Sequence, residues 1–200
     1  MKIYSLSVMA WREPLQHPVM LSSAFDLSSF GYFQRGSIKE FIVFFSRTLM
    51  ERTTRGQRQS IDHEEYVVHI WLRADGLGGV AVCDAEYPQR VAFTALNQLL
   101  TEFTDLHRDT WPLVREDTVL PFSKLDEAIV EFQDPAKADK LTKIHEDLEK
   151  TISVVHKTID SVLDRGTKLE NLVKQSEDLG AQSKLFYNQA ASANRCCVLM

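Results

Sequence analysis

The spacing of apolar and polar residues predicts several strands in the first half of the chain. Residues 1–10 alternate polar and apolar side chains, as a half-buried strand does. Further strands are predicted at Met20 to Phe25, at Tyr66 to Leu72 and at Val80 to Cys83, where β-branched and aromatic residues are frequent. Residues 52–60 are polar and predict a loop.

Helical spacing separates these strands. Ser37 and Glu40 fit a capping box, in which each side chain accepts a hydrogen bond from the backbone of the other residue. They predict a helix from Ser37 to about Arg52. Apolar residues at intervals of three and four predict a second helix from about Arg90 to Leu106, and a short third one between Phe122 and Phe132. The order of elements predicts an α+β domain with an antiparallel sheet.

The first helix has a wider apolar surface than one contact with a sheet requires. At about 100° per residue, Phe44 lies roughly 60° outside the main apolar stripe. The candidate groove residues are Phe41, Ile42, Phe44 and Phe45. Two interpretations stay open: the helix is buried on two sides by its own domain, or it forms a groove that receives another segment.

From Leu141 onward the apolar spacing alternates between three and four residues. This period of 3.5 predicts a left-handed coiled coil over residues 138–194. The main apolar layers are Leu141, Ile144, Leu148, Val155, Val162, Leu169, Leu172, Leu179 and Phe186.

Arg165 occupies one layer of this seam. A buried, unpaired guanidinium costs several kcal/mol, so partners must supply acceptors for its donors. Neutral side-chain carbonyls from other chains would do so, whereas two copies of this helix would place arginine against arginine. We therefore expect different partner chains. An alternative is that Arg165-Gly166 simply interrupts the heptad pattern, because glycine costs about 1 kcal/mol in a helix.

The run from Val162 to Leu172 resembles the central segment of a synaptobrevin-type R-SNARE motif. The N-terminal order of elements, with Phe30-Gly31-Tyr32-Phe33 and with residues 56–61, resembles the longin domain of that family. The resemblance implies a longin (profilin-like) domain at residues 1–133, with a five-stranded antiparallel sheet and helices on both faces. It also implies that Arg165 forms the ionic layer with glutamines from three Q-SNARE helices.

The last four residues, Cys197 to Met200, fit the C-a-a-X pattern for prenylation, and the final methionine indicates a farnesyl group. One lipid gives only marginal membrane binding, so a palmitoyl group on Cys196 is the expected second signal; the alternative is that Cys196 is an unmodified thiol. Residues 195–200 are thus predicted to be a lipidated tail, as in a prenylated, soluble branch of the longin R-SNAREs.

Composition limits the other classes of function. A formal net charge of −5 gives no basic surface for nucleic acid. Cys83 lies in an apolar strand and His63 and His69 have no evident partner, so we expect no catalytic residues, no metal and no cofactor apart from the covalent lipids. No apolar run approaches the roughly 18 residues of a membrane span. We expect a cytoplasmic chain held peripherally on Golgi, ER-derived vesicle and endosomal or vacuolar membranes.

The expected function is that of an R-SNARE in vesicle fusion during ER–Golgi, Golgi and endosomal or vacuolar transport. Its partners would be the three Q-SNARE helices, the SNARE disassembly ATPase with its adaptor, and a prenyltransferase. Alone, residues 138–194 should be unstructured or packed on the longin domain, which would then inhibit assembly. The alternative is a longin-type tether or adaptor that regulates membrane traffic without entering a fusion bundle.

Overall fold

The computed structural model describes residues 1–134, 153–163, 167–177 and 179–196, with side chains up to residue 189. Its centre is a six-stranded sheet in the order β2-β1-β5-β4-β3-β6. The strands are β1 (Ile3–Ala10), β2 (Val19–Phe25), β3 (Gln57–His63), β4 (Tyr66–Leu72), β5 (Leu77–Asp84) and β6 (Val154–Thr158).

Helices lie on both faces of the sheet, as expected. They are α1 (Arg35–Glu51), α2 (Gln89–His107), α3 (Lys124–Glu131), α4 (Ile159–Val162), α5 (Leu169–Gln175) and α6 (Ala181–Cys196). Two short 3-10 helices occupy Tyr32–Gln34 and Trp111–Leu113. One hydrophobic core packs α2 and α3 against the sheet, and a second packs α1 and the C-terminal segment against the opposite face.

The first five strands pair antiparallel, which agrees with the predicted sheet. The sixth strand was not predicted. It comes from the segment expected to be a coiled coil, and it pairs parallel to β3 with Val154 beside Arg58 and Thr158 beside Asp62. The sheet thus combines the N-terminal domain with part of the C-terminal segment.

The prediction of a loop through residue 60 is wrong, because β3 begins at Gln57. Its polar residues are buried with partners, which sequence spacing does not reveal. The Arg58 guanidinium lies 4.7 Å from the centre of the Trp71 ring, and Ser60 Oγ is 2.8 Å from His69 Nδ1. Burial lowers the pKa of His69 to about 4, so this ring is neutral near pH 7.

The predicted capping box at Ser37 is also wrong. Helix α1 begins at Arg35, directly after the 3-10 helix Tyr32–Gln34, and its first turn has no side-chain cap. Ser37 is buried inside the first turn. Glu40 therefore does not cap α1, and its carboxylate accepts hydrogen bonds from Gly180 and Ser183 instead.

Candidate functional site

The candidate site is the apolar face of α1, where the groove was expected. Ile42, Phe44 and Phe45 are buried there, and Phe41 is half-buried. All four belong to the second hydrophobic core or pack against it. The Phe41 ring stacks on the Phe45 ring, and the two ring centroids are 5.6 Å apart.

This groove is filled by the chain's own C-terminal segment. Ile159, Leu163, Leu169, Val173 and Leu179 are buried in the same core as the α1 residues. They come from two short helices and the turns beside the helices, so the apolar side chains approach the groove from several separate elements. Residues of the C-terminal segment thus share one core with the wide helix face, which favours the interpretation of a groove that receives another segment.

Helix α6 packs on α1 through an aromatic contact and a hydrogen-bonded carboxylate. The Tyr187 ring stacks on Phe41 at 5.3 Å, with 19° between the planes. Glu40 Oε2 accepts hydrogen bonds from the Gly180 backbone N–H at 3.1 Å and from Ser183 Oγ at 2.7 Å. We call these two hydrogen bonds the Glu40 latch. A carboxylate that accepts two donors ahead of a helix also complements the positive end of its dipole.

A cavity of about 670 Å³ remains between α1, the β3–β4 turn and α6. That volume falls in the range of sites that hold small ligands, roughly 300–1,000 Å³. Its lining is Tyr4, Phe30, Ile38, Phe41, Ile42, Phe45, His63, Glu64, Glu65, Tyr66, Val68, Val82, Phe186 and Tyr187.

The cavity walls are mostly apolar and largely uncharged. Burial lowers the pKa of His63 below its ordinary value, which favours the neutral ring. Burial likewise raises the pKa values of Tyr4 and Tyr66, so both phenols keep their protons. Among the described residues that line the cavity, Glu64 and Glu65 at the β3–β4 turn are the ones that carry carboxylates. An apolar chain suits this space better than a polar ligand.

The predicted coiled-coil layers are distributed over different elements. Val155 lies in β6, Val162 in α4, Leu169 and Leu172 in α5, and Phe186 in α6. Leu179 is buried just before α6. The described part of this segment is therefore not one continuous helix, and its layers do not form a seam. This matches the expectation that the segment, without partners, packs on the N-terminal domain.

Several predicted residues lie outside the described part of the chain. These are Arg165 of the ionic layer, the layers Leu141, Ile144 and Leu148, and Cys197. Cys196 ends α6, but its side chain is also outside the described part. Their roles, and the boundaries at residues 133, 138 and 194, stay predictions.

Sequence reasoning missed some residues that the structure brings to the groove. Glu40 was assigned to a cap, and its hydrogen bonds to Gly180 and Ser183 gave no local sequence signal. Tyr187 follows the layer residue Phe186 and was not among the predicted residues. His63 and Tyr66 gave no sequence signal, because they reach the cavity through the β3–β4 hairpin.

Comparisons with known proteins identify the family. Residues 27–129 match the Longin model, described as a regulated-SNARE-like domain, and residues 140–199 match the Synaptobrevin model. The chain belongs to the longin-domain R-SNAREs. It is 49% identical to the VAMP-like protein YKT61 of Arabidopsis thaliana over 200 residues, the whole of both chains.

Two fungal relatives extend the match. The chain is 45% identical to the synaptobrevin homolog ykt6 of Schizosaccharomyces pombe over 201 residues, and 44% identical to the synaptobrevin homolog YKT6 of Saccharomyces cerevisiae over 202 residues. Both alignments span all of this chain and all of the relative. As an R-SNARE of the synaptobrevin type, the chain has other SNARE proteins as its partners. Within the described residues, no helix is both long enough and apolar enough to cross a bilayer.

The Glu40 latch should control how firmly α6 is held. We expect Glu40→Ala, in the full chain, to make the backbone amides of residues 180–187 exchange about tenfold faster, since hydrogen bonds to a charged group contribute about 1.5–3 kcal/mol. Hydrogen exchange with mass spectrometry measures this. Glu131→Ala, on α3 at the opposite face of the sheet, is the matched control. Equal exchange rates in the two variants would show that the latch does not hold the helix.

Proposed function

We propose that this R-SNARE contributes one helix to a bundle with three Q-SNARE helices, and that its longin domain holds the free chain in an assembly-incompetent form. The observation that carries the second part is the burial of Leu169 and Leu179 in the hydrophobic core that includes the α1 face. Both are predicted layers of the bundle. A side chain buried in this core cannot at the same time face a partner helix.

Assembly then requires the C-terminal segment to leave the groove. β6 has to separate from β3, and the short helices have to join into one continuous helix. The free energy comes from burying the layer side chains among partner helices, offset by the burial that is lost on α1. The apparent affinity for partners is therefore the affinity of the open form multiplied by the fraction of chains that are open.

We further propose that the apolar cavity shelters the farnesyl group on Cys197. Phe186 and Tyr187 line the cavity, and α6 continues from there to Cys196. Residues 188–196 extend α6 beyond Tyr187 by about 14 Å. An isoprenoid chain that folds back along α6 spans this distance. The apolar walls, the volume and the neutral His63 support this occupant. Palmitoylation of Cys196 would then fix the opened chain on a membrane.

The remaining expectations complete the proposal. A prenyltransferase would attach the lipid, and the SNARE disassembly ATPase with its adaptor would return the chain to the closed form. The chain would cycle between the cytoplasm and the cytosolic face of Golgi, ER-derived vesicle and endosomal or vacuolar membranes. No catalytic step is assigned to the chain itself.

The ionic layer is tested by Arg165→Leu. Three partner glutamine carbonyls would lose their donor inside the bundle, at about 1–3 kcal/mol for each unsatisfied group. We expect the complex with three Q-SNARE helices to dissociate at a clearly lower temperature, as followed by circular dichroism. Lys168→Leu, an exposed position outside the layers, is the control.

The same variant separates the two candidate functions. A tether that never enters a bundle would keep its partners when Arg165 is replaced by leucine. Unchanged or tighter complexes with Arg165→Leu would therefore refute the ionic layer and favour the tether.

The lipid shelter is tested by two neighbouring positions on α6. Phe186 lines the cavity, whereas Leu185 is 62% exposed. In the farnesylated full chain, Phe186→Asp should expel the lipid, and the chain should float with neutral phosphatidylcholine vesicles at roughly millimolar lipid. Leu185→Asp should stay in the soluble fraction, like the unmodified sequence. The Cys197→Ser form of each variant, which carries no prenyl group, should stay soluble.

The result that contradicts the shelter is equally clear. If Phe186→Asp and Leu185→Asp distribute alike between vesicles and solution, the cavity does not hold the lipid.

A further inference from the structure

Two adjacent aromatic side chains protrude from the domain and, within the described part of the chain, belong to neither hydrophobic core. Tyr32 is 79% exposed and Phe33 is 89% exposed, in the 3-10 helix that precedes α1. Their rings meet edge-on with centroids 5.5 Å apart, so they contact each other and extend into solvent. Single exposed apolar residues are common, but a protruding aromatic pair on an ordered turn indicates a contact surface.

The turn is held rigidly, so the exposure is built into the fold. Gln34 N–H donates to the Gly31 carbonyl at 2.9 Å. Arg35 Nε and Nη2 donate to the carbonyls of Phe30 and Ser28, at 3.1 and 3.2 Å. Phe30 itself turns inward and packs against Tyr4 at 5.5 Å. The aromatic pair is thus presented by a fixed support, which limits the entropy lost on binding.

The charges around the pair are positive and are not neutralised by carboxylates. Arg35 bonds only to neutral carbonyls, and the Lys39 ammonium lies 4.9 Å from the centre of the Phe25 ring. Among the residues that the structure describes, neither forms an ion pair. The first turn of α1 contains no acidic residue, so the positive end of the helix dipole adds to this field.

The nearby acids are already engaged. Asp26 lies 3.3 Å from Lys2 and accepts from Ser28. Glu40 accepts from Gly180 and Ser183 in the latch. The surface around the aromatic pair therefore favours an anionic partner.

We propose that Tyr32 and Phe33 insert into the headgroup region of an anionic bilayer, with Arg35 and Lys39 above them. Aromatic side chains partition well into that region, and each cation near an anionic surface adds attraction. A folded protein partner fits less well, because two protruding rings are far smaller than the roughly 800 Å² per partner of a stable protein interface.

The aromatic pair lies close in the chain to the apolar cavity, so a membrane contact there would act on the cavity. Phe30, two residues before Tyr32, lines the apolar cavity. Docking through the pair would bring the cavity wall to the membrane while the chain is still closed. A lipid released from the cavity, a step that rests on the proposed function above, would then enter the bilayer directly.

The experiment uses the full chain as Cys197→Ser, which has no prenyl group, so its outcome does not depend on the lipid shelter. Partitioning is measured by flotation with vesicles of phosphatidylcholine alone or with added phosphatidylserine. We expect binding to the anionic vesicles that weakens with salt, and we expect Tyr32→Ser with Phe33→Ser to reduce it about tenfold or more.

The matched control is Leu113→Ser with Val119→Ser, two other exposed apolar residues, which should bind like the parent chain. Thermal unfolding checks that both double variants remain folded. The proposal is overturned if the parent does not bind anionic vesicles, or if the loss of Tyr32 and Phe33 leaves binding unchanged. Binding that is equally weak in both double variants would also overturn it, because apolar exposure anywhere on the surface would then account for the affinity.

Discussion

One set of apolar side chains has two mutually exclusive places to be buried. Leu169 and Leu179 of the C-terminal segment are buried in the same hydrophobic core as the α1 face in the free chain, and the same residues belong to the layers of the predicted bundle. Each buried leucine contributes on the order of 2 kcal/mol relative to exposure. Stabilising one arrangement therefore lowers the population of the other. The strength of the α1 groove therefore sets how readily the chain assembles.

The edge of the sheet adds a second component to the closed form. Without β6, strand β3 would be an edge strand with unpaired backbone groups, which invites pairing with other chains. β6 pairs with residues 58–62 and so occupies that edge. The C-terminal segment thus shields both an apolar helix face and a strand edge. Opening the chain exposes both together, which couples the two sites.

The sequence predicted the parts of the fold that depend on periodicity. The alternation in β1 and the continuous apolar run of β4 identify strands because both signals are local. The width of the α1 face, with Phe44 outside the stripe that the sheet needs, left two interpretations open, and the sequence alone did not decide between them. Family resemblance supplied the longin domain and the SNARE motif, and both are supported by the comparisons.

Other features depend on contacts that no local pattern encodes. β3 reads as a loop because Arg58 and Ser60 are polar, and their buried partners come from β4 and α2. Val154 and Val155 are compatible with a strand as well as with a helix layer. They form a strand because β3 has backbone groups at its edge with which they pair. Glu40 fitted a capping box by spacing alone, yet its hydrogen bonds go to residues 140 positions or more further along the chain. A heptad pattern reflects the packing of the predicted bundle, whereas in the free chain the same residues lie in a strand and several separate helices.

The most direct measurement follows the backbone amides of β3, residues 57–63, by hydrogen exchange in the free chain and in the complex with three Q-SNARE helices. The closed form predicts that the β3 amides directed toward β6 are protected in the free chain and exchange faster once the partners are bound, while residues 153–163 become more protected as they join a continuous helix. Unchanged protection of β3 in a complete complex would contradict the account, because the segment would then have assembled without leaving the domain.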